Sequence, residues 1–194
     1  MLELRADERV AGRAFCDAGH TQRDRATLGR LRTALKGAAG GQRASELRFA
    51  DAAGVHHVVV PDWDALEERM PVAVVGFFGQ VRPGVDHGPI LAIEEDIVAR
   101  AADVSGLLAY HNARLAGGGW GNLVVFASPT ATGALAQDPQ HASAVARAPQ
   151  HYASLRLHRG ALADGCLGEA PIALGETLYF DFAETPAWRA VRRY

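Results

Sequence analysis

Cysteine is scarce in this sequence: Cys16 and Cys166 are the only two among 194 residues, far apart and without a Cys-x-x-Cys spacing. That excludes a disulfide framework and a thiolate zinc site, and it fits a reducing, cytoplasmic compartment. No apolar run approaches the length needed to span a bilayer, and the first residues, MLELRADER, lack the apolar core of an export signal. Neither sign of charge dominates, because 20 basic residues face 22 acidic ones for a formal net charge of -2. The basic runs at 23–32 and 189–193 lie close to Asp24 and Glu184 and read as solvated faces. No nucleic acid and no membrane are therefore expected among the partners.

What is present is the balance of a globular chain, 48% apolar and 22% charged, enough to bury a core without staples. Between residues 21 and 39, Ala26, Leu28, Leu31, Ala34 and Leu35 form the apolar stripe of a helix that Gly40 and Gly41 stop. The runs 45–50 and 55–61, separated by Asp51-Ala-Ala-Gly54, predict a hairpin, and Asp62 then caps a short helix reaching Arg69. Residues 1–20 carry no assignable pattern.

The stretch 71–80, PVAVVGFFGQ, is β-branched and aromatic, with two glycines where something passes close to the backbone, and predicts a central strand. A loop rich in Gly and Pro leads to a helix over 93–104. GLLAYHNARL and WGNLVVFA then flank Gly117-Gly118-Gly119 as the clearest hairpin of the chain. Ser128-Pro129 heads a helix broken at Asp138-Pro139 and ended by Pro149, and 152–157 closes as a strand. The order β, α, β, β, α, β makes the chain α+β, with a ferredoxin-like antiparallel sheet over 71–160. It is preceded by a helix–hairpin–helix region at 1–70, either a separate element or a worn ferredoxin-like half. A C-terminal extension, 161–194, holds a strand over 177–182 and a segment around Trp188 that packs on a neighbour.

Residues 122–158, NLVVFASPTATGALAQDPQHASAVARAPQHYASLRLH, resemble the second half of antibiotic-biosynthesis-monooxygenase-like domains of the dimeric α/β-barrel superfamily. The likeness lies in a strand ending in a small polar residue, a helix interrupted at Asp-Pro-Gln-His, and a strand alternating apolar with basic residues. It implies a homodimer whose sheets carry helices on one face and enclose a small-molecule cavity on the other. Members of the superfamily carry out cofactor-independent oxygenation of aromatic substrates, bind or degrade haem, isomerise small molecules, or have no known chemistry. The haem-degrading branch has a Trp where this sequence has Phe126, and an axial His where it has Ala144 and Val145, with His141 one turn early.

Strand alternation puts Tyr110, Asn112 and Arg114 on one face of the 106–115 strand and His111 on the other. The first set offers a phenol, an amide and a guanidinium to orient a polar aromatic ligand, or simply forms a solvated face. His111 reads either as a hydrogen-bonded structural residue or as a base that titrates near neutrality. Arg156 and His158 share a face of the closing strand, and Phe78, Trp120 and Phe126 supply aromatic walls. His141 and His151 flank Pro149 and read as solvent-facing residues at a helix end, while His56 and His57 point to opposite faces and cannot chelate together. The expected activity is that of a small-molecule-binding enzyme, a cofactor-independent monooxygenase or isomerase acting on an aromatic or lipophilic substrate. His111, Tyr110 and Arg114 are its candidate catalytic residues, and Asn112, Trp120, Phe78, Phe126, Arg156 and His158 contact the substrate. No cofactor is expected on that reading. The alternatives are a haem-binding protein with His111, His141, His151 or His158 as axial ligand, and a non-catalytic dimeric barrel.

Overall fold

A computed structural model describes residues 1–41, 43–116 and 118–194, so Gly117 of the glycine run lies outside the described residues. The chain is α+β; the described residues form one nine-stranded, mostly antiparallel sheet and five α-helices. Among the described residues no helix is long and apolar enough to cross a membrane.

The chain starts with β1 (Leu2–Leu4) and a single 3-10 turn, followed by the long α1 (Ala18–Ala39). The predicted hairpin is β2 (Glu46–Asp51) and β3 (Gly54–Val59), turned by Asp51, whose carboxylate accepts from the Ala53 and Gly54 amides. α2 (Trp63–Glu67) starts at Asp62, whose side chain accepts from Asp64 and Ala65, as its sequence position foretold. Then come β4 (Val72–Val81), α3 (Gly88–Ala99), β5 (Leu107–Leu115), β6 (Trp120–Phe126), α4 (Thr132–Ala136), α5 (Pro139–His151) and β7 (Tyr152–Leu162). Asp138 caps α5 in front of the N1 proline Pro139, and the helix runs through Pro149 to His151 instead of stopping at the proline. β8 (Ala173–Asp181) and β9 (Trp188–Arg193) complete the sheet, whose order is β1-β9-β8-β7-β4-β6-β5-β3-β2.

Residues 1–20, without pattern in the sequence, are organised by the other end of the chain. β1 pairs in parallel with β9, and the buried Arg192 donates to the carbonyls of Arg5, Glu8 and Cys16 and to the Tyr179 hydroxyl. Trp188, expected to pack on a neighbour, lies in β9 and packs within the chain against Phe15, with the Arg13 guanidinium 4.4 Å from its ring centroid.

Helices cover both faces of the sheet, and this is what positions the site. α1 lies across one face, where Leu28, Leu31 and Leu35 share a core with Val74, Phe78, Leu123 and Val125. Gly76 is bare because Leu28 sits over it: a Cβ there would fall 2.9 Å from the leucine side chain. On the other face α3 and α5 pack together over β4, β5 and β6, around Ile93, Ile97, Tyr110 and Val124. The resemblance implies a second sheet over the face that α1 occupies. The structure corrects this, because the spacing of Leu28, Leu31 and Leu35 makes α1 an apolar lid of the right length. The hairpin β2–β3, instead of starting a second sheet, extends the first one beside β5.

Candidate functional site

A cavity of about 490 Å³ opens between the sheet and helices α3 and α5. Val75 and Phe77 of β4, Val124 of β6 and Leu155 and Leu157 of β7 form its floor. Ile90, Ala144 and Ala148 close it from the helices, and Trp120, Tyr152, Phe180 and Phe182 add aromatic walls. Tyr152 is seated by Gly79, where a Cβ would come within 2.5 Å of its ring. The volume and the apolar lining are those of a small-molecule pocket.

Four polar side chains interrupt this lining as a group. Asn112 and Asn122 face each other directly across the β5–β6 pair. The Asn112 amide donates to the Glu94 carboxylate, and the Asn122 amide donates to the Tyr110 hydroxyl at 2.9 Å. The amide oxygens of both asparagines are buried and have no partner among the described residues. Such orphaned groups are costly in an apolar setting unless something else satisfies them, and here they border the cavity. The Tyr110 oxygen accepts from Asn122, so its own proton remains free to donate into the cavity.

Glu94 is the ionisable member. Burial pushes its carboxyl up to about 7; the hydrogen bond from Asn112 opposes that push, and the neighbouring Glu95 adds to it. The Tyr110 phenol is raised too, by burial first and by the charge of Glu94 second, so the two groups lie within electrostatic reach of each other. A carboxyl near neutrality beside a phenolic donor is an acid–base pair able to move a proton at a stationary apolar ligand.

Of the catalytic and substrate-contacting residues expected from sequence, Tyr110, Asn112 and Trp120 line this cavity. Phe126 is buried on the same side of the sheet among Ala73, Ile97 and Leu107, outside the lining. Arg114 shares the parity of Tyr110 but lies beyond the cavity, exposed at the end of β5.

His111, Phe78, Arg156 and His158 project to the opposite face, beneath α1, and so cannot meet a ligand in the cavity. Arg156 pairs with Asp24 of α1 at 2.5 and 3.1 Å. His158 joins Asp24 at 2.9 Å and Thr177 at 2.7 Å, with the Phe78 ring against it. Burial disfavours ionisation of Asp24, but hydrogen bonds from His158 and Arg156 outweigh it and hold the carboxyl below its usual range. His111 Nδ1 donates to the Leu31 carbonyl at 3.1 Å, which leaves Nε2 to accept from His56 Nδ1 at 3.0 Å, while His56 Nε2 reaches Asp51 at 3.0 Å. Burial, and then the neighbouring His56, lower the His111 pKa to about 4, so its ring is neutral and structural, not a poised base.

His141 and His151 do not behave as solvent-facing helix-end residues. His141 lines the cavity, with burial lowering its pKa, and His151 is 3% exposed. Sequence reasoning missed Glu94, Asn122 and Tyr152, and it named His141 only as an alternative axial ligand. The acidic run Glu94-Glu95-Asp96 suggests solvent, yet Glu94 stands four residues after Ile90 and three before Ile97, on the apolar stripe of α3. That spacing was the available signal. For Asn122, the signal was a lone amide inside WGNLVVFA on the parity of Val124.

No family model matches the chain, and no curated protein matches it. Among solved structures, the NE2512 protein of unknown function from Nitrosomonas europaea is similar at 16% identity and a TM-score of 0.44, over 53% of this chain and 99% of that one.

Proposed function

We propose that this chain is a small-molecule-binding enzyme that transfers protons on an aromatic or lipophilic ketone held between α3, α5 and the sheet. The observation that carries the reading is the placement of one largely buried carboxyl, Glu94, in a mostly apolar cavity beside a phenol with a free proton, with burial pushing that carboxyl up to about 7. The Glu94 carboxylate takes a proton from the carbon next to the carbonyl, and the electron pair moves onto the carbonyl oxygen. The Tyr110 hydroxyl donates to that oxygen as charge develops. Return of the proton from Glu94 to a second carbon of the same system gives an isomer, with no oxidant or reductant consumed. The apolar walls exclude water from the carbanion, and the same intermediate could pass to dioxygen in a cofactor-independent oxygenation. Oxygen uptake distinguishes the two outcomes.

The fold is part of the reading. The segment 72–162 runs strand, helix, strand, strand, helix, strand with spatial order β7-β4-β6-β5, which supports a ferredoxin-like unit. A barrel homodimer built through the usual bare face would require α1 to leave it, so any homodimer of this chain is proposed to use another surface.

The test uses 2-tetralone in deuterium oxide, with exchange of its α-protons followed by proton NMR. Wild-type protein should accelerate exchange with a rate that rises through about pH 7, and Glu94→Gln should lower that rate about 100-fold while ligand binding persists. Equal rates for the two proteins would remove the proposal.

A second reading rests on His141. Among the histidines weighed as axial ligands it is the one that lines the cavity, and Arg189 at the rim suits a propionate. The donor set thus fits haem in kind, with His141 to hold the iron, which would supply redox chemistry when bound. A Soret band on addition of haem that is lost in His141→Ala supports this reading, and its absence in the wild type removes it.

A further inference from the structure

We infer that the ligand of this cavity is an elongated amphipathic carboxylate, with its acid group held at the rim by Arg189 and its apolar body running inward toward Glu94. This rests on the cavity proposed above as the binding site and adds the chemical class and orientation of what enters it.

Arg189 is the only arginine or lysine among the described residues that line the cavity. It stands on β9 opposite Phe180 and lies over that ring at 5.8 Å, so its stem follows the aromatic wall and its guanidinium stays at the mouth. The acids nearest in the chain are already engaged: Asp181 pairs with Arg13 at 3.0 Å, and Glu184 pairs with the same guanidinium. Among the described residues no carboxylate lies within ion-pair distance of Arg189. A cation beside an apolar opening, with its local acids taken up by a neighbouring arginine, is a receptor for an anion that brings an apolar body with it.

Length follows from topology. Arg189 on β9 and Asn112 on β5, which holds Glu94, are five strand spacings apart in the sheet. That is about 24 Å between backbones at the usual separation. The two side chains shorten the span from both ends, and the space between is walled by Phe180, Phe182, Leu155 and Phe77. A compact single-ring ligand would leave one end unused, whereas a chain of roughly ten carbons or a fused aromatic acid reaches both. The acid end cannot be the inner one, because a second carboxylate beside Glu94 would meet like charge in a desolvated site.

The test is calorimetric binding of decanoate, methyl decanoate and decanol to wild type, Arg189→Gln and Arg189→Lys, each checked for unchanged melting. The wild type should bind decanoate about fivefold tighter than decanol at low salt. The preference should vanish in Arg189→Gln, persist in part in Arg189→Lys, and shrink in 1 M salt. Equal binding of all three probes to the wild type would overturn the carboxylate assignment and leave the cavity as a site for neutral ligands. Binding of none of them would overturn the cavity reading itself. A decanoate preference that survives in Arg189→Gln would assign the anion to another cation and equally overturn the inference.

Discussion

The two faces of the sheet solve the same problem in opposite ways. Beneath α1, the buried polar groups are paired into closed sets: Asp24 with Arg156 and His158, His158 with Thr177, and His111 with His56 and the Leu31 carbonyl. Beneath α3 and α5, Asn112 and Asn122 keep orphaned oxygens, Glu94 is held away from its preferred charge, and space is left between helix and strand. One face spends its polar residues on fixing α1, and the other keeps them available. On these two faces the satisfied groups hold α1 and the unsatisfied ones border the cavity, which is why a buried histidine such as His111 is a poorer catalytic candidate than a partly buried glutamate.

Substitutions should break this contrast unequally. The largest effect belongs to Asp24→Ala, which strands Arg156 and His158 in the core and should cost about 3–5 kcal/mol, read by urea unfolding. Gly76→Ala, which drives a methyl into Leu28, should cost about 1–3 kcal/mol in the same assay. On the cavity face, Asn122→Leu should change stability by less than about 1 kcal/mol, because it removes an unsatisfied oxygen along with a hydrogen bond. A loss comparable to that of Asp24→Ala would end the distinction between the faces. Arg114→Ala, exposed and outside both cores, should stay within about 0.5 kcal/mol.

Acidity sharpens the comparison because the faces respond with opposite sign. Glu94 titrates near 7 when folded against 4.5 ordinarily, so the folded chain binds the extra proton and stability falls as pH rises between those values. His111 titrates near 4 when folded against 6.5 ordinarily, so the unfolded chain binds the extra proton and stability falls as pH drops through that window. In Glu94→Gln the first loss should disappear, worth about 3 kcal/mol at pH 8, while the second remains. Melting temperatures of both proteins from pH 4 to 8 check it. Curves that stay parallel across that range would contradict the raised carboxyl.

Much of the fold was legible because it is written locally. The stripe of α1, the Asp62 cap, the helix break at Asp138-Pro139, the hairpin turn over 51–54 and the alternation of β5 each depend on residues within a few positions of one another. β1 was not legible, since three residues paired with a strand near the opposite terminus carry no periodicity of their own. The site was half legible for a related reason. A period of two tells that Tyr110 and Asn112 share a face and that His111 does not. It does not tell which face α1 will cover, and that one long-range docking event decided which residues became core and which became lining. Arg156 and His158 went to the core with it, and Glu94 came into view only once α3 was laid over Asn112.

Because the cavity between the sheet and these helices is walled by residues of one chain, release of a ligand is a unimolecular event governed by how α3 and α5 breathe against the strands. Dilution should leave residence time unchanged, and cross-linking the two helices should lengthen it without touching any group that performs chemistry.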